Sequence, residues 1–325
     1  MENEPALQTP VPAALDGERV DRVVALLTDA SRSRAGDAID SGRVTLGGKV
    51  VNQRSHRVVE GDELVVSDLG REAVRVPGAD SSIPINVLYE DEQVVVVDKP
   101  AGLVVHPGAG NPIGTLVNGL LDLYPDLAGV GSAARPGIVH RLDQGTSGAL
   151  AVARTEKAYA SLVAQLADHS VSRRYLALVW GRPESTTGIV DAPIGRSSRD
   201  RTRMAVVSSG RPARTRFQQL RVWSGPPELS LLECRLETGR THQIRVHLSA
   251  IGHPVVGDDS YGGDRSGLSG TGGRVVLTRP FLHAVHLSFD HPTKGERVIV
   301  DSPLPDELEG VLELLGAPDD SGPEV

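Results

Sequence analysis

Between residues 19 and 27 the apolar side chains Val20, Val23, Val24 and Leu27 recur at intervals of three and four, which predicts a short helix with one buried stripe. Ser31-Arg32-Ser33-Arg34 then reads as a turn, and a second helix is predicted over 33–41. The period falls to two over 42–51, around the hairpin signal Gly47-Gly48, and Glu60-Gly61-Asp62 leads into a further short strand over 63–66. Two helices and a small sheet thus make one unit over 15–67. Ahead of it, 1–14 is polar and rich in Pro and Ala and reads as a disordered lead-in. Behind it, 68–82 mixes Gly, Pro, Ser and charges without periodicity and reads as a linker.

The pattern over 83–305 is longer and more varied. Strands are predicted over 87–89 and 94–97, separated by Glu90-Asp91-Glu92-Gln93, and over 149–153, 175–180, 229–236 and 297–300. Helical spacing covers 116–123 and 157–167. Helices interspersed among strands that short turns connect predict an α+β domain with a mixed, mostly antiparallel sheet. The stretch 266–273 reads as a Gly/Ser loop without evident chemistry, and 306–325 as an acidic tail.

Charge changes this picture. The net charge of −8 argues against a polyanionic partner, because phosphate binding rests on Lys and Arg releasing counterions. Its distribution reverses that argument. Residues 1–18 carry four acids and 301–325 carry eight, with no Lys or Arg in either stretch, so 19–300 has a balance of +4. Within it, 171–221 holds eleven arginines against Glu184, Asp191 and Asp200. A solvated charge run is the bland reading. Arginine without lysine favours the sharper one, since the guanidinium fork suits phosphate and base recognition. The single cysteine, Cys234, excludes an intrachain disulfide and reads as a strand-packed thiol. No basic and apolar leader and no run of about 20 apolar residues is present, so a cytoplasmic protein with no membrane partner is expected.

The densest chemistry lies in Arg135-Pro136-Gly137-Ile138-Val139-His140-Arg141-Leu142-Asp143-Gln144-Gly145-Thr146-Ser147-Gly148. This reads as a strand, a polar loop that packs His, Arg and Asp together, and a turn into an apolar strand. Loops held by strands are where catalytic groups tend to sit. Taken alone, Arg-x-Asp is more often a structural ion pair. Gly145-Thr146-Ser147-Gly148-Ala149 misses the spacing of a serine-hydrolase elbow by one residue. His242, His247, His253, His283 and His286 match no metal-ligand spacing, so no metal is expected.

His140-Arg141-Leu142-Asp143 followed by Thr146-Ser147-Gly148 resembles the signature of the RluA/RluD family of pseudouridine synthases. Arg173-Arg174-Tyr175-Leu176-Ala177 resembles a second family element, and Leu236-Glu237-Thr238-Gly239-Arg240-Thr241-His242-Gln243-Ile244-Arg245-Val246-His247 a third. Further matches are Asp98-Lys99-Pro100-Ala101-Gly102-Leu103, Gly252-His253-Pro254-Val255-Val256-Gly257-Asp258 and Leu282-His283-Ala284, which together imply a catalytic domain over 83–305. In the first unit, Arg19-Val20-Asp21-Arg22, Ser31-Arg32-Ser33-Arg34, Gly42-Arg43-Val44 and Gly48-Lys49-Val50-Val51-Asn52 resemble the S4-like RNA-binding domain first known from a small-subunit ribosomal protein.

These resemblances imply an isomerase that needs no cofactor and converts uridine to its C-glycoside in structured RNA. Asp143 would be the nucleophile, since a carboxylate can form a covalent intermediate, and its first step would be either attack on the sugar carbon or abstraction of a sugar proton. Arg245 would hold that carboxylate in its charged form, and Tyr175 would stack under the uracil and take part in removing the C5 proton. The target nucleotide would be flipped out of its stem or loop, with Arg141 filling the vacated space. His242 is expected to hydrogen-bond backbone near this site, and Arg174, Arg240 and His242 are implied to contact RNA. On the first unit, Arg32, Arg34, Arg43 and Lys49 would meet phosphates and position the RNA without reading its sequence. The implied substrate is large-subunit (23S) ribosomal RNA or its precursor, acted on by a monomer. Transfer RNA is the alternative substrate, and a non-catalytic RNA-binding protein would require Asp143 to be dispensable.

Overall fold

Helix α1 (Val20–Leu27) turns Val20, Val23 and Val24 into the first unit, where all three are fully buried. The computed structural model describes residues 5–69, 76–108, 110–225, 227–263, 268–270, 273–275 and 277–321, and the chain divides into two units, 1–74 and 75–325. In the first, α2 (Arg32–Asp40) starts where Ser31 Oγ accepts a hydrogen bond from Arg34 N at 3.2 Å, one residue earlier than the pattern predicts. The strands are β1 (Leu7–Pro10), β2 (Val44–Leu46), β3 (Lys49–Val50) and β4 (Glu63–Val66), in the order β1-β4-β2-β3. Gly47 and Gly48 join β2 to β3 with φ of 53° and 76°, the paired positive values that a two-residue type I′ turn requires.

Strand β1 overturns the disordered lead-in predicted over 1–14. It pairs antiparallel with β4 from Leu7↔Val66 to Pro10↔Glu63, and Val11 behind it is buried. The partner strand lies more than fifty residues away, so local composition carried no sign of it. Pro10 is tolerated because β1 is an edge strand. Residues 1–4 lie outside the described residues, as do 70–75 of the predicted linker. Residues 76–82 form neither helix nor strand, yet they are tied down by Asn118 Nδ2, which donates to Gly78 O at 2.7 Å, and by Asp80 N, which donates to Asn118 O at 2.9 Å.

The second unit is built on a ten-stranded sheet. Its strands are β5 (Asn86–Glu90), β6 (Val94–Lys99), β7 (Ser147–Ala153), β8 (Ser172–Trp180), β9 (Thr187–Asp191), β10 (Arg214–Trp223), β11 (Leu229–Leu236), β12 (Leu282–Asp290), β13 (Arg297–Asp301) and β14 (Asp320–Ser321). The order is β9-β10-β11-β8-β12-β7-β6-β5, with β13 added to β12 and β14 to β10. Only β7 and β12 run parallel among these pairs. The sheet is covered on both faces, which is why β6 reads as four consecutive valines and not as an alternation. Val95 and Val97 join the layer that holds α3 (Leu116–Leu123), α5 (Gln243–Ala250) and α6 (Asp306–Leu315), whereas Val94 and Val96 join the layer of α4 (Glu156–Ala167). Strand β7 divides the same way, with Leu150 and Val152 on one side and Ala149, Ala151 and Ala153 on the other.

The acidic tail predicted over 306–325 is instead part of this unit. Helix α6 buries Leu308, Val311 and Leu314 in the larger core layer, and β14 pairs with β10. Its acids hid an amphipathic spacing, and Asp306, Glu307 and Glu309 in the first turn favour the helix through its dipole. Residues 322–325 are outside the described residues. The predicted loop over 266–273 lies partly outside them too, and in the rest Leu268–Gly270 pairs with Gly273–Val275. Among the described residues no helix is long and apolar enough to cross a membrane.

Gly148 sits at the parallel junction, opposite Ala284, with φ of 115°. A Cβ there would overlap the Ala284 backbone, and no side-chain rotation could relieve it. Gly148→Ala is therefore expected to cost about 2–4 kcal/mol of stability, the sum of a disfavoured φ and an overpacked strand pair. Urea unfolding of the purified variant measures this, and an unchanged midpoint would show that the strands separate without cost.

Candidate active site

The loop over 137–146 is held at both ends and along its length. Ile138 bridges to Val152, and Leu142 is buried in the core between Arg141, which is exposed, and Asp143, which is half-buried. Thr146 N donates to Asp143 O at 3.0 Å. Gly102 N donates to Gln144 O at 2.8 Å, and Gln144 Nε2 donates to Gly102 O at 3.1 Å, which fastens the loop to the end of β6. Lys99 completes this lock. Its side chain is fully buried, and Nζ donates to the carbonyl oxygens of Pro100 (2.6 Å), Leu103 (2.8 Å) and Gln144 (3.4 Å).

At the start of β7, Arg279 supports the same loop. Nη1 reaches Ser147 Oγ at 3.2 Å and Leu282 O at 3.4 Å, while Nε is paired with Glu307 of α6 at 3.0 Å. His283, on β12, takes Ser147 Oγ on Nδ1 at 2.9 Å and is fully buried. Its other ring nitrogen donates to Ser302 O at 3.1 Å, and burial draws its pKa below the ordinary value against the effect of that hydrogen bond.

Opposite the loop stands α5, which begins at His242 with a left-handed φ of 57°. Gln243 braces the turn before it. Its Oε1 accepts from Thr238 Oγ1 (2.7 Å) and Arg240 N (3.0 Å), and its Nε2 donates to Arg214 O and Thr215 Oγ1, both at 3.0 Å. One turn on, Arg245 is buried, with Nη1 3.6 Å from Asp143 Oδ2. Its Nε and Nη2 bind both oxygens of Asp258 at 2.7 and 2.8 Å. Asp258 is fully buried and also accepts from the backbone nitrogens of Ser260 and Tyr261. The Tyr261 ring lies under the guanidinium at 5.0 Å, and its hydroxyl meets His242 Nδ1 at 2.8 Å and accepts from Met204 N at 3.1 Å.

Strand β8 supplies the third wall. Alternation sends Arg173 and Tyr175 into the cleft, both almost fully buried. Burial raises the Tyr175 phenol above its ordinary value, with Arg173 opposing and Asp143 reinforcing, so the hydroxyl stays protonated. The result is a cleft of about 320 Å³ lined by Asp143, Tyr175, Arg173, Arg141, Arg240 and His242 among others. That volume is near the lower end for small-molecule sites, roughly 300–1,000 Å³. The cleft brings one carboxylate, one phenol and several guanidinium groups to a single small space.

Asp143, Tyr175, Arg245, Arg141, Arg240 and His242 thus converge in the second unit. His242 bonds to the Tyr261 hydroxyl and not to backbone, which corrects that expectation. Arg240 Nε donates to Pro212 O at 3.0 Å, and Arg240 borders the cleft. Arg174 does not join the site. It leaves the opposite face of β8 and pairs with the buried Glu233 at 3.0 Å, so a one-residue step in a strand moved it away and placed Arg173 there instead. In the first unit, Arg32 shares Asp21 with Arg19 at 3.2 and 3.0 Å. Arg43 lies 3.6 Å from Asp68, Lys49 is exposed on β3, and Arg34 is in the first turn of α2. Lys99, Arg173, Asp258, Tyr261 and Arg279 were not singled out from sequence. The strand period marked Arg173 as a partner of Tyr175, and Lys99 and Asp258 lay within noted motifs, but nothing local shows that a buried lysine or aspartate serves a loop or helix far along the chain.

Compared with known proteins, residues 93–250 match the RNA pseudouridylate synthase family, and residues 18–64 match the S4 domain. A protein of Zymomonas mobilis described as ribosomal large subunit pseudouridine synthase D is 44% identical over 315 residues, covering 96% of this chain and 98% of its own. One of the same description from Xanthomonas campestris is 45% identical and covers 95% of this chain and 92% of its own. The solved human RNA pseudouridylate synthase domain containing 1 aligns with a TM-score of 0.53 at 28% identity, over 74% of this chain and 99% of its own.

Burial draws the Lys99 ammonium down from 10.5 to about 7, with Asp143 opposing, Arg279 adding and Asp98 opposing. Between those two values the unfolded chain binds a proton that the folded chain does not, so the contribution of Lys99 grows as pH rises from 7 and is lost as pH falls back through 7. The unfolding free energy of the wild-type protein relative to Lys99→Met should therefore increase by roughly 3 kcal/mol between pH 7 and pH 10. Urea titrations of both proteins at several pH values read this difference, and a flat profile would refute the shift.

Proposed function

This chain belongs to the RNA pseudouridylate synthase family, and from that premise we propose that it isomerises uridines in large-subunit ribosomal RNA with Asp143 as nucleophile. The observation that carries the reading is the Asp143 carboxylate, 3.6 Å from a buried guanidinium and in one cleft with a buried phenol. The ribosomal substrate is supported by the descriptions of the relatives from Zymomonas mobilis and Xanthomonas campestris, which match over nearly the whole chain.

The target nucleotide leaves its stack, at a cost of a few kcal/mol, and enters the cleft. Arg141, exposed beside Asp143, fills the space it vacates in the RNA. Asp143 Oδ forms a bond to C1′ as the N1–C1′ bond breaks, so the electron pair departs on the uracil. The uracil turns over the Tyr175 ring until C5 faces C1′. The C5–C1′ bond then forms as the ester breaks, which returns the carboxylate. The C5 proton is lost and N1 gains one, so nothing is added or removed overall, and no cofactor is needed. While Asp143 is anionic it helps hold Tyr175 as the phenol. The reading places the enzyme in the cytoplasm as a monomer, since one chain carries every group used.

In the first unit, Lys49 is an exposed cation, set against phosphate in this reading together with Arg32, Arg34 and Arg43. Lys49→Ala should weaken RNA binding and reduce the salt slope by about one contact, as titrations at several salt concentrations would read. Asp143→Asn should bind RNA with near-normal affinity and form no pseudouridine. Mapping pseudouridines in ribosomal and transfer RNA from cells with and without the protein tests the substrate: loss of one or more large-subunit sites is expected, and loss confined to transfer RNA would replace the ribosomal assignment.

A further inference from the structure

Arg173 is a guanidinium for which the reaction above has no use, and it is buried without a counter-charge. It is 7% exposed, and among the described residues its Nε has no hydrogen-bond partner and no carboxylate pairs with it. Arg245 and Arg279, the other buried arginines among the described residues, each meet a carboxylate, from Asp258 and from Glu307. Neutralisation is no escape, because a guanidinium does not give up its proton in a protein. A buried charge without a partner is unfavourable, so this position calls for an anion that the chain itself does not supply.

Three observations say where that anion sits. Arg173 lines the cleft, and its Nη1 lies over Gly239, where a Cβ would come within 2.9 Å, so the head group rests against the turn that leads into α5. Residues 239–242 of that turn line the same cleft, as do Gln243 and Ile244 in the first turn of the helix, and a helix N-terminus favours negative charge through its dipole and its unpaired amides. Along β8, Arg173 stands two residues before Tyr175 on the same face, roughly 7 Å away, an interval that one nucleotide spans from its base to its phosphate. A uracil on Tyr175 is neutral, whereas the sugar that offers C1′ to Asp143 carries a charged phosphodiester on each side.

We propose that Arg173 and the turn over 239–242 form an anion site that holds a phosphodiester of the flipped uridine, the one on its 5′ side or the one on its 3′ side. The proposal rests on the uridine isomerisation argued above. A guanidinium presents its donors in a fork that matches two phosphate oxygens, and such charge-assisted pairs are the strong ones. The contact reads no sequence and acts by position. It offsets the unstacking that flipping requires. It also fixes the sugar, so that C1′ stays beside Asp143 while the uracil turns.

The test uses the full chain and a synthetic stem-loop around the uridine lost in the mapping experiment, made with a neutral methylphosphonate in place of the phosphodiester 5′ to that uridine, 3′ to it, or at neither place. Arg173→Met removes the charge and keeps much of the bulk, and because it relieves a buried unpaired cation, its melting temperature should equal or exceed that of the wild type. It should bind the unmodified RNA about 10–100-fold more weakly, the loss of one hydrogen bond to a charged group, with a salt slope smaller by about one. One of the two methylphosphonates should weaken wild-type binding by a similar factor and Arg173→Met no further, and the position that shows this non-additivity names the phosphate. Arg173→Lys, which keeps the charge without the fork, should bind between the two proteins. Losses that multiply at both positions would overturn the proposal, as would wild-type binding indifferent to both replacements, a result that requires no variant to fold. A slower single turnover with unchanged affinity and salt slope would place Arg173 against the base and overturn it as well. Failure of the isomerase reading is separable, because the mapping experiment would then show no lost site, whereas failure of the anion site leaves that site and the wild-type activity intact.

Discussion

Arg245 has two carboxylates to satisfy and treats them unequally, and the rest of the cleft depends on that inequality. Asp258 takes the close, two-point contact on Nε and Nη2, while Asp143 is left with one looser approach at 3.6 Å. Asp258 is fixed in turn by two backbone nitrogens, so the guanidinium cannot swing toward Asp143 and engage both its oxygens. Two anions and one cation leave the group with a negative charge, and the less engaged oxygen atoms are those of Asp143. A carboxylate that faces a cation without being tied up by it is what the proposed nucleophile requires. A simple Arg–Asp pair in the same space would have blunted it.

Most of this arrangement could be read from the sequence only in part. The paired spacing of Val20, Val23 and Val24, the Gly47-Gly48 turn and the run of four valines each announced a local element, and each formed close to where the pattern put it. The elements missed were those whose partners are distant. Leu7–Pro10 becomes a strand only because Glu63–Val66 is there to pair with it, and the apolar side of Asp306–Leu315 has meaning only against the core layer it completes. The site divides in the same way. Motifs located the residues that converge on Asp143, but Arg174 was placed there by its sequence position alone, and the pleat of the strand exchanges it for Arg173. Lys99 was invisible for a physical reason: lysine is ordinarily a surface residue, and only the closing of three carbonyl groups around it makes a buried one tolerable.

The charge distribution acquires a structural explanation as well. Eight acids beyond residue 300 oppose RNA binding if they are free, but among the described residues Asp306, Glu307, Glu309 and Glu313 lie on a folded helix. Glu307 is joined to Arg279, and through it to the loop that carries Asp143. At least one of these acids therefore serves the cleft and does not merely set the net charge.

Strand β12 lies between β7 and β8 in the sheet, although it follows both by more than a hundred residues along the chain. The loop with Asp143 leads into β7, and Tyr175 lies on β8, so the opposing walls of the cleft belong to two halves that residues 282–290 weld together. Pairing of such long sequence separation is slow, because loop closure must be paid for before contacts form. During synthesis the halves cannot be joined until those residues have left the exit tunnel. An unfinished chain therefore lacks the strand that joins the two walls, and the cleft is complete only once residues 282–290 are in place.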